Sequence, residues 1–195
     1  MISLNELVIG YDRPLMKPLN HTLEDGKIYG ILGKSGCGKS TLLKTIAKMH
    51  KPISGQVVRT DDKQIYMMHQ RYTNFNWLSC LDNVLIAERN KRKRKERKPE
   101  AIAVLEQVGL GEYLNRYPTE LSGGMQQRLA LARVLFIKPS YLLMDEPLSA
   151  LDDSTRAIMQ QLIINTHKET NNTIIMVTHS AEEANKMCDQ IIKLN

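Results

Sequence analysis

Long apolar segments are absent from this sequence. No run approaches the ~18–20 apolar residues that a helix needs to cross a bilayer, so we expect no membrane-spanning segment. The first residues, 1–6, lack a basic stretch followed by an apolar one, and we expect no secretory signal there. Both absences predict a cytoplasmic protein.

Cysteine is also scarce. Cys37, Cys80 and Cys188 lie far apart and have no metal-ligand spacing, so they are expected to be free thiols in a reducing compartment. The sequence has no internal repeat. Its 195 residues, 42% hydrophobic and 25% charged, are ordinary for one globular domain with room for a small subdomain.

Positive charge is concentrated in one place. The formal net charge is +6, and residues 89–98 contain eight basic side chains. Such a block favours a solvated helix face or a linker first, contact with anionic lipid headgroups second, and nucleic acid last. No aromatic residue interrupts the block, which argues against base stacking. A nucleic-acid partner is therefore not expected.

Strand-like and helix-like patterns alternate along the chain. Residues 81–117 have apolar positions spaced by threes and fours, which predicts a helical subdomain inserted in a sheet domain. The alternation elsewhere predicts an α/β fold with a largely parallel sheet covered on both faces by helices. Strands are predicted at 4–9, 19–23, 28–32, 56–59, 65–68, 141–144 and 173–177, and helices at 40–48, 125–137 and 154–166, before a short helix and a last strand.

Residues 33–40 fit the pattern G-x-x-x-x-G-K-[ST]. A predicted strand precedes them and a predicted helix follows, the context in which backbone N–H groups and a helix start hold a phosphate. Lys39 supplies charge for the β- and γ-phosphates, and Ser40 offers a hydroxyl to Mg²⁺. The sequence therefore predicts a nucleoside triphosphate site formed by Gly33, Lys34, Ser35, Gly36, Cys37, Gly38, Lys39, Ser40 and Thr41.

The apolar segment 141–144 ends in two acids, Asp145 and Glu146. This places them at the carboxyl edge of a sheet, where open α/β folds bind ligands. Asp145 would reach Mg²⁺ through its water shell, and Glu146 could polarise a water for attack on the γ-phosphate. An Asp-Glu-Pro turn alone is equally compatible with a simple strand end, but the phosphate loop favours the functional interpretation.

A second helix start able to bind phosphate lies at residues 122–124. Ser122 is a good N-cap, and Gly123 and Gly124 leave backbone N–H groups uncovered. The simple alternative is an ordinary capped helix. Because one nucleotide usually needs one such start, the second is expected to serve a nucleotide held by another subunit.

With these motifs the chain resembles the ATP-binding subunits of ABC transporters over essentially all of its length. The segment Leu121-Ser122-Gly123-Gly124 is similar to the ABC signature of that family. The resemblance implies a P-loop NTPase fold with a mainly parallel sheet, an N-terminal antiparallel β part and an inserted α-helical subdomain. It also implies ATP and Mg²⁺ as cofactors, and two subunits that pair head to tail, as a homodimer or pseudo-dimer.

Further roles are implied by the resemblance alone. Gln70 resembles the glutamine that touches Mg²⁺ and senses the transporter, and Asp152 resembles the D-loop residue at the dimer seam. His179 resembles the switch histidine that contacts the γ-phosphate and holds the catalytic water, and Tyr11 resembles the aromatic that stacks on adenine. The expected catalytic residues are Glu146, His179 and Gln70, and the expected metal-contacting residues are Ser40, Gln70 and Asp145.

Residues 76–84 resemble the importer group that moves nitrate, sulfonate or taurine, and Met125 agrees with that group. In the family, the segment after Gln70 receives the coupling helix of the membrane subunit. Trp77 is expected either to be exposed for that contact or to belong to the core. The chain stops one strand after His179, so regulatory sensing by a C-terminal extension is not expected, and the basic block departs from the group.

The resemblance implies an ATPase subunit that couples ATP binding, dimerisation and hydrolysis to transport by a membrane permease. Import of a small anion or nutrient is favoured, at the inner face of the cell membrane. The alternatives are an ABC exporter ATPase, a soluble ABC ATPase outside transport, and a P-loop kinase. The expected organisation is a single ABC ATPase domain, 1–195, with a RecA-like core and β subdomain at 1–75 and 135–195 and a helical signature subdomain at 76–134.

Overall fold

The computed structural model describes residues 1–69 and 74–194. The chain divides into two compact units, of which the first comprises Met1–Met67, Pro139–Glu146 and His167–Asn195. The second comprises Met68–Lys138 and Pro147–Thr166. In chain order the elements are β1 (Ile2–Val8), β2 (Leu19–Leu23), β3 (Ile28–Gly33), α1 (Lys39–Ile46), β4 (Ser54–Arg59), β5 (Ile65–Met68), α2 (Cys80–Leu85), α3 (Lys91–Glu96), α4 (Lys98–Gln107), α5 (Gly123–Ile137), β6 (Tyr141–Asp145), α6 (Asp153–Thr170), β7 (Thr173–Val177), α7 (Ala181–Met187) and β8 (Gln190–Leu194).

A five-stranded sheet with the order β5-β6-β7-β3-β8 forms the centre of the first unit. β3 pairs in parallel with both β7 and β8, and β6 pairs in parallel with β7. Every residue of β6 and β7 is buried, as expected for near-continuous apolar strands of a parallel sheet. The register places Asp145, the last residue of β6, beside Val177, the last residue of β7.

The N-terminal strands form a separate antiparallel sheet with the order β2-β1-β4. The strand β1 starts two residues earlier than predicted because Ile2 pairs with Leu23 on one side and with Arg59 on the other. Apolar residues of β1 share one buried cluster with Leu42 and Leu43 of α1. The predicted α/β fold, with a mainly parallel sheet, flanking helices and an antiparallel part, is confirmed.

Helices dominate the second unit. The predicted helical stretch 81–117 forms three helices, α2, α3 and α4, followed by two short 3₁₀ turns at Gly111–Tyr113 and Pro118–Glu120. α5 packs against both α2 and α4. Its residues Leu129, Ala132 and Phe136 are fully buried, as their spacing predicts. In the described part of the chain, each helix falls short of the length or apolar content that crossing a bilayer requires.

Candidate functional site

The phosphate loop, residues 33–40, connects β3 to α1 in the first unit. Lys39 begins the helix and is only 8% exposed. Its Nζ donates hydrogen bonds to the carbonyl oxygens of Gly33 at 2.8 Å and Lys34 at 3.1 Å. The ammonium group is therefore held at the loop by backbone oxygens, which satisfies a charge that burial would otherwise penalise.

Two glycines give the loop its shape. Gly36 has a φ of 80° and Gly38, the N-cap of α1, has a φ of 100°, a left-handed region that strains other residues. No described atom lies within 4 Å of a Cβ built at Gly36, so that backbone faces open space. At Gly38 an added Cβ would come 3.0 Å from Ile9 Cδ1. The loop is thus an open cradle at a helix start, which fits a phosphate group.

The remaining predicted loop residues differ in exposure. Lys34 and Ser35 are exposed, Cys37 and Ser40 are half-buried, and Thr41 is buried in the first turn of α1. A cleft of about 550 Å³ opens beside the loop, and Gly33, Lys34 and His179 all line it. The structure therefore brings the loop and the predicted switch histidine to one place.

Asp145 ends β6 and is 5% exposed. Its Oδ1 is buried and has no hydrogen-bond partner among the described residues. A buried carboxylate oxygen without a donor is unfavourable, and a hydrated cation supplies both the charge and the donors that it lacks. This orphaned oxygen fits the predicted contact with Mg²⁺ through water.

Glu146 follows directly, with a backbone φ of 50° in the left-handed region. Its N–H donates to the carbonyl oxygen of Val177 at 3.0 Å, which fixes the turn at the end of the sheet. A non-glycine residue in this conformation carries strain of about 1–3 kcal/mol, and such strain is concentrated at functional sites. The carboxylate is partly accessible, with 22% of the side chain exposed.

His179 follows β7 and has 67% of its side chain exposed. Its Nδ1 lies 3.7 Å from Glu146 Oε2, a separation longer than a direct hydrogen bond. Both neighbours of His179 are anchored, since the Thr178 N–H donates to Ile31 O at 3.3 Å and the Ser180 N–H donates to Thr178 Oγ1 at 3.1 Å. The backbone of His179 is therefore fixed, and its ring is mostly exposed beside the candidate base, Glu146.

The signature segment, residues 121–124, lies in the second unit. Ser122 caps α5 as predicted, because its Oγ accepts a hydrogen bond from the N–H of Met125 at 3.3 Å. In the described residues nothing lies within 4 Å of a Cβ built at Gly123, whereas one at Gly124 would approach Ala150 O at 3.2 Å. The helix start is thus open at Gly123, as a second phosphate-facing surface requires.

Gln127 is a residue of this unit to which the sequence assigned no role. It is 1% exposed on α5, and its Oε1 accepts a hydrogen bond from the N–H of Ala150 at 2.9 Å. The contact ties the signature helix to the predicted D-loop, residues 149–152. A buried amide on an otherwise apolar helix face is the sequence signal that could have found it.

Asp152 lies at the end of that loop and caps α6. Its Oδ1 accepts hydrogen bonds from Ser154 Oγ at 2.6 Å and from the N–H of Thr155 at 2.9 Å. These bonds, the Ser154 hydroxyl first, hold the pKa of the Asp152 carboxyl well below its usual range. The helix begins one residue earlier than predicted because of this cap.

Three residues predicted from the resemblance lie in different settings. Tyr11 is 64% exposed, and its ring centroid lies 4.8 Å from that of His50. Gln70 lies outside the described residues. Trp77 was expected either to be exposed or to belong to the core, and it is 73% exposed.

The segment around Trp77 is held by a buried amide. Asn83 Nδ2 donates to the carbonyl oxygens of Phe75 at 3.0 Å and Leu78 at 2.9 Å, and its Oδ1 accepts from the Phe75 N–H at 2.8 Å. The Trp77 ring lies against Phe75, with 5.4 Å between ring centroids. An exposed tryptophan on a fixed backbone is typical of a contact surface.

The family profile described as ABC transporter matches residues 16–149. The spermidine/putrescine import ATP-binding protein PotA of Trichodesmium erythraeum is 39% identical, over 90% of this chain and 49% of its own length. The taurine import ATP-binding protein TauB of Roseobacter denitrificans is 38% identical, over 98% of this chain and 76% of its own. The chain thus spans about half the length of the first relative and three quarters of the second.

Solved structures agree with the sequence relatives. A dimeric structure of the bacterial ABC transporter cassette MJ0796 has a TM-score of 0.88 at 32% identity, over 100% of this chain and 94% of that one. A dimeric post-hydrolysis state of the same cassette, bound to ADP and Pi, has a TM-score of 0.86 at 30% identity and the same coverage. The chain has the fold of a P-loop ATP-binding cassette, and it belongs to the ABC transporter family. The P-loop fold and the family expected from the sequence are therefore confirmed.

Proposed function

We propose that this chain is the ATP-hydrolysing subunit of an ABC importer, working as a pair with a second ATPase subunit. The observation that carries the proposal is the presence of two open glycine backbones at phosphate-competent positions, Gly36 in the loop that leads into α1 of the first unit and Gly123 at the start of α5 in the second. One nucleotide needs only one of them. The second start serves the nucleotide of the partner subunit, and the dimeric structures of the similar cassette MJ0796 support this pairing.

Each side chain has a distinct part in the hydrolytic step. Lys39 and the loop N–H groups hold the β- and γ-phosphates, and Glu146 accepts a proton from the attacking water. His179, 3.7 Å from Glu146, positions that water and the γ-phosphate. Ser40, Asp145 and Gln70 are the residues that would hold Mg²⁺, which neutralises charge on the phosphates when bound. Tyr11 stacks on adenine, and Ser122, Gly123, Gly124 and Asp152 complete the partner's site.

The membrane contact is assigned to residues 70–84 of the second unit. The exposed Trp77, held by Phe75 and Asn83, offers an aromatic anchor to a permease subunit. The chain would then lie at the cytoplasmic face of the membrane, held there by the permease. Closing and opening of the ATPase pair would move the permease through this segment.

The cargo is proposed to be a small nutrient. The taurine relative agrees with the small-anion group favoured by residues 76–84, and the spermidine/putrescine relative is an importer subunit as well. Both relatives favour import over export. The proposed organisation is a core at 1–75 and 135–195 with a helical signature subdomain at 76–134. The concentration of helices between Cys80 and Ile137 supports the subdomain, while Pro147–Thr166 groups with those helices in the second unit.

The test is phosphate release from ATP by the purified chain without an acceptor molecule. The proposal predicts steady release that Lys39→Ala reduces by about 10- to 100-fold, since hydrogen bonds to a charged group contribute ~1.5–3 kcal/mol. Lys44→Ala on the same helix, where Lys44 is half-buried, is the matched control and should keep the rate. Phosphate transfer only to an added small molecule would identify a kinase instead.

A further inference from the structure

Helix α3 differs from the other helices of the second unit. None of its residues is buried, and its sequence is Lys-Arg-Lys-Arg-Lys-Glu. Lys91 and Lys95 are four residues apart, as are Lys93 and Arg97, and like charges at this spacing destabilise a helix. Burial therefore does not explain why this segment is helical, and its own charges oppose the helix.

Two arginines hold α3 in place. Arg94 Nε donates to the carbonyl oxygen of Glu88 at 2.6 Å, and Arg97 donates to the carbonyl oxygen of Phe136 at 2.7 Å. The Arg97 guanidinium also lies 3.9 Å from the centroid of the Phe136 ring and pairs with the carboxylates of Glu88 at 3.1 Å and Glu100 at 2.8 Å. Both nearby carboxylates are thus already engaged by the inner side of the helix.

The outer cations form no close ion pairs with the described carboxylates. Within residues 74–194, no carboxylate lies within 4 Å of a basic group of the exposed side chains of Arg89, Lys91, Arg92, Lys93 and Lys95. The lone acid of α3 is Glu96 at its end. An ordinary solvated helix face mixes both signs of charge in similar numbers, whereas here five exposed cations accompany one exposed acid, Glu96.

The cations adjoin an apolar cleft. A cleft of about 240 Å³ is lined by Leu78 and Leu85 and also by Lys95 and Lys98. Asp82, which lines it too, accepts a hydrogen bond from Ser79 Oγ at 2.8 Å and is engaged in capping α2. Apolar side chains beside clustered lysines and arginines are the combination found at the headgroup level of membranes.

We propose that the outer face of α3 contacts anionic lipid headgroups of a membrane surface. Clusters of four to eight basic residues bind such surfaces, each cation adding to the attraction. A nucleic acid is disfavoured because residues 89–98 contain no aromatic side chain on which a base could stack. The contact goes beyond the proposed function, since it requires neither ATP nor a permease.

The experiment is sedimentation of the purified chain with vesicles of phosphatidylcholine, alone or with roughly 30 mol % phosphatidylglycerol. The triple variant Lys91→Gln, Lys93→Gln, Lys95→Gln removes three outer cations. The triple variant Lys51→Gln, Lys168→Gln, Lys186→Gln removes the same charge from exposed lysines of the first unit and is the matched control. ATP hydrolysis is measured in parallel for all three proteins.

The expected result is binding to the anionic vesicles only. Since each cation contributes roughly fivefold to the partition coefficient, the α3 variant should bind about 100-fold more weakly and the control within about threefold of the native chain. Unchanged hydrolysis in both variants shows that the folds and ATP sites are intact. The proposal is overturned if the native chain does not bind anionic vesicles, or if both variants lose binding equally. It is also overturned if the native chain binds an oligonucleotide but not vesicles.

Discussion

His179 Nδ1 lies 3.7 Å from Glu146 Oε2, although the two residues are 33 positions apart in the sequence. The proximity follows from the sheet, because β6 and β7 are parallel neighbours. β6 ends one residue before Glu146, and β7 ends two residues before His179. The two atoms are too close for a water to sit between them, but a water beside the pair can be contacted by the carboxylate and the imidazole together. The sheet therefore supplies the geometry on which the proposed hydrolytic step depends.

Asp145→Asn should weaken the effect of Mg²⁺ on ATP binding. The buried Oδ1 of Asp145 has no partner among the described residues, and an amide lacks the charge that attracts a hydrated cation. We expect ATP affinity in Mg²⁺ to fall by about tenfold while affinity in EDTA is unchanged, the size of one charge-assisted hydrogen bond. Titration with a fluorescent ATP analogue measures both.

The matched control for this change is Asp62→Asn, which removes an equal charge from an exposed position in the same unit. It should leave both affinities as they are. If the Asp145→Asn variant bound ATP in Mg²⁺ as tightly as the native chain does, Asp145 would not belong to the metal site.

Alkylation of the folded chain at pH 8 should fall on Cys37. Burial raises the pKa of the Cys80 thiol to about 11, and burial together with Glu183 and Asp189 raises that of Cys188 to about 12. A pH of 8 lies well below both pKa values, so about 0.1% or less of the Cys80 and Cys188 thiols is in the reactive thiolate form. Reaction at these two sites should increase only as the pH rises toward 11.

Because Cys37 lies in the phosphate loop, ATP should slow its alkylation. The rates can be followed by mass spectrometry of peptides after treatment with iodoacetamide, with and without ATP. Equal rates at all three cysteines, or a Cys37 rate that ATP does not change, would count against the loop as the nucleotide site.

Gly123→Ala should separate stability from activity. No described atom obstructs a Cβ at this helix start, and alanine is the better helix former, so the free energy of unfolding should stay the same or rise by up to ~1 kcal/mol. The added methyl group would cover the N–H groups offered to the partner's nucleotide. We expect hydrolysis to fall at least tenfold while ATP binding by the single chain is unchanged.

Gly36→Ala is the companion variant, and we expect it to lower both the free energy of unfolding and ATP binding by the single chain. Its φ of 80° makes alanine strained by about 1–2 kcal/mol, and its Cβ would enter the chain's own phosphate cradle. Calorimetry and denaturant unfolding distinguish the two. If Gly123→Ala also lost ATP binding, the assignment of separate nucleotides to the two helix starts would be wrong.

The sequence predicted the features that local chemistry determines. The strands Leu19–Leu23 and Thr173–Val177 match their predicted bounds, and the Ser122 cap was predicted from the residue type alone. The composition of the basic block did not distinguish a helix face from a linker. The contact of Arg97 with Phe136, which anchors the helix, could not be predicted from that composition.

Contacts between distant residues could not be predicted. Gln127 reaches Ala150 across 23 residues, and the orphaned Oδ1 of Asp145 appears only when its surroundings are built. The Glu146 φ of 50° likewise depends on its hydrogen bond to Val177 in the neighbouring strand. Such features depend on the assembled sheet rather than on any short pattern.

In the proposed mechanism, two copies of the chain enclose the triphosphate between them. Its most direct test is the mass of the Glu146→Gln variant in ATP and Mg²⁺, measured by sedimentation velocity. Without the base, hydrolysis should fall by about 10²–10⁴-fold, so the ATP-bound pair persists. We expect a shift from 22.3 kDa to twice that mass on addition of ATP, and we expect the shift to be lost when Gly123→Ala is added to the same chain. A variant that binds ATP fully and stays at 22.3 kDa, while the native chain turns over at a rate strictly proportional to its concentration, would contradict it.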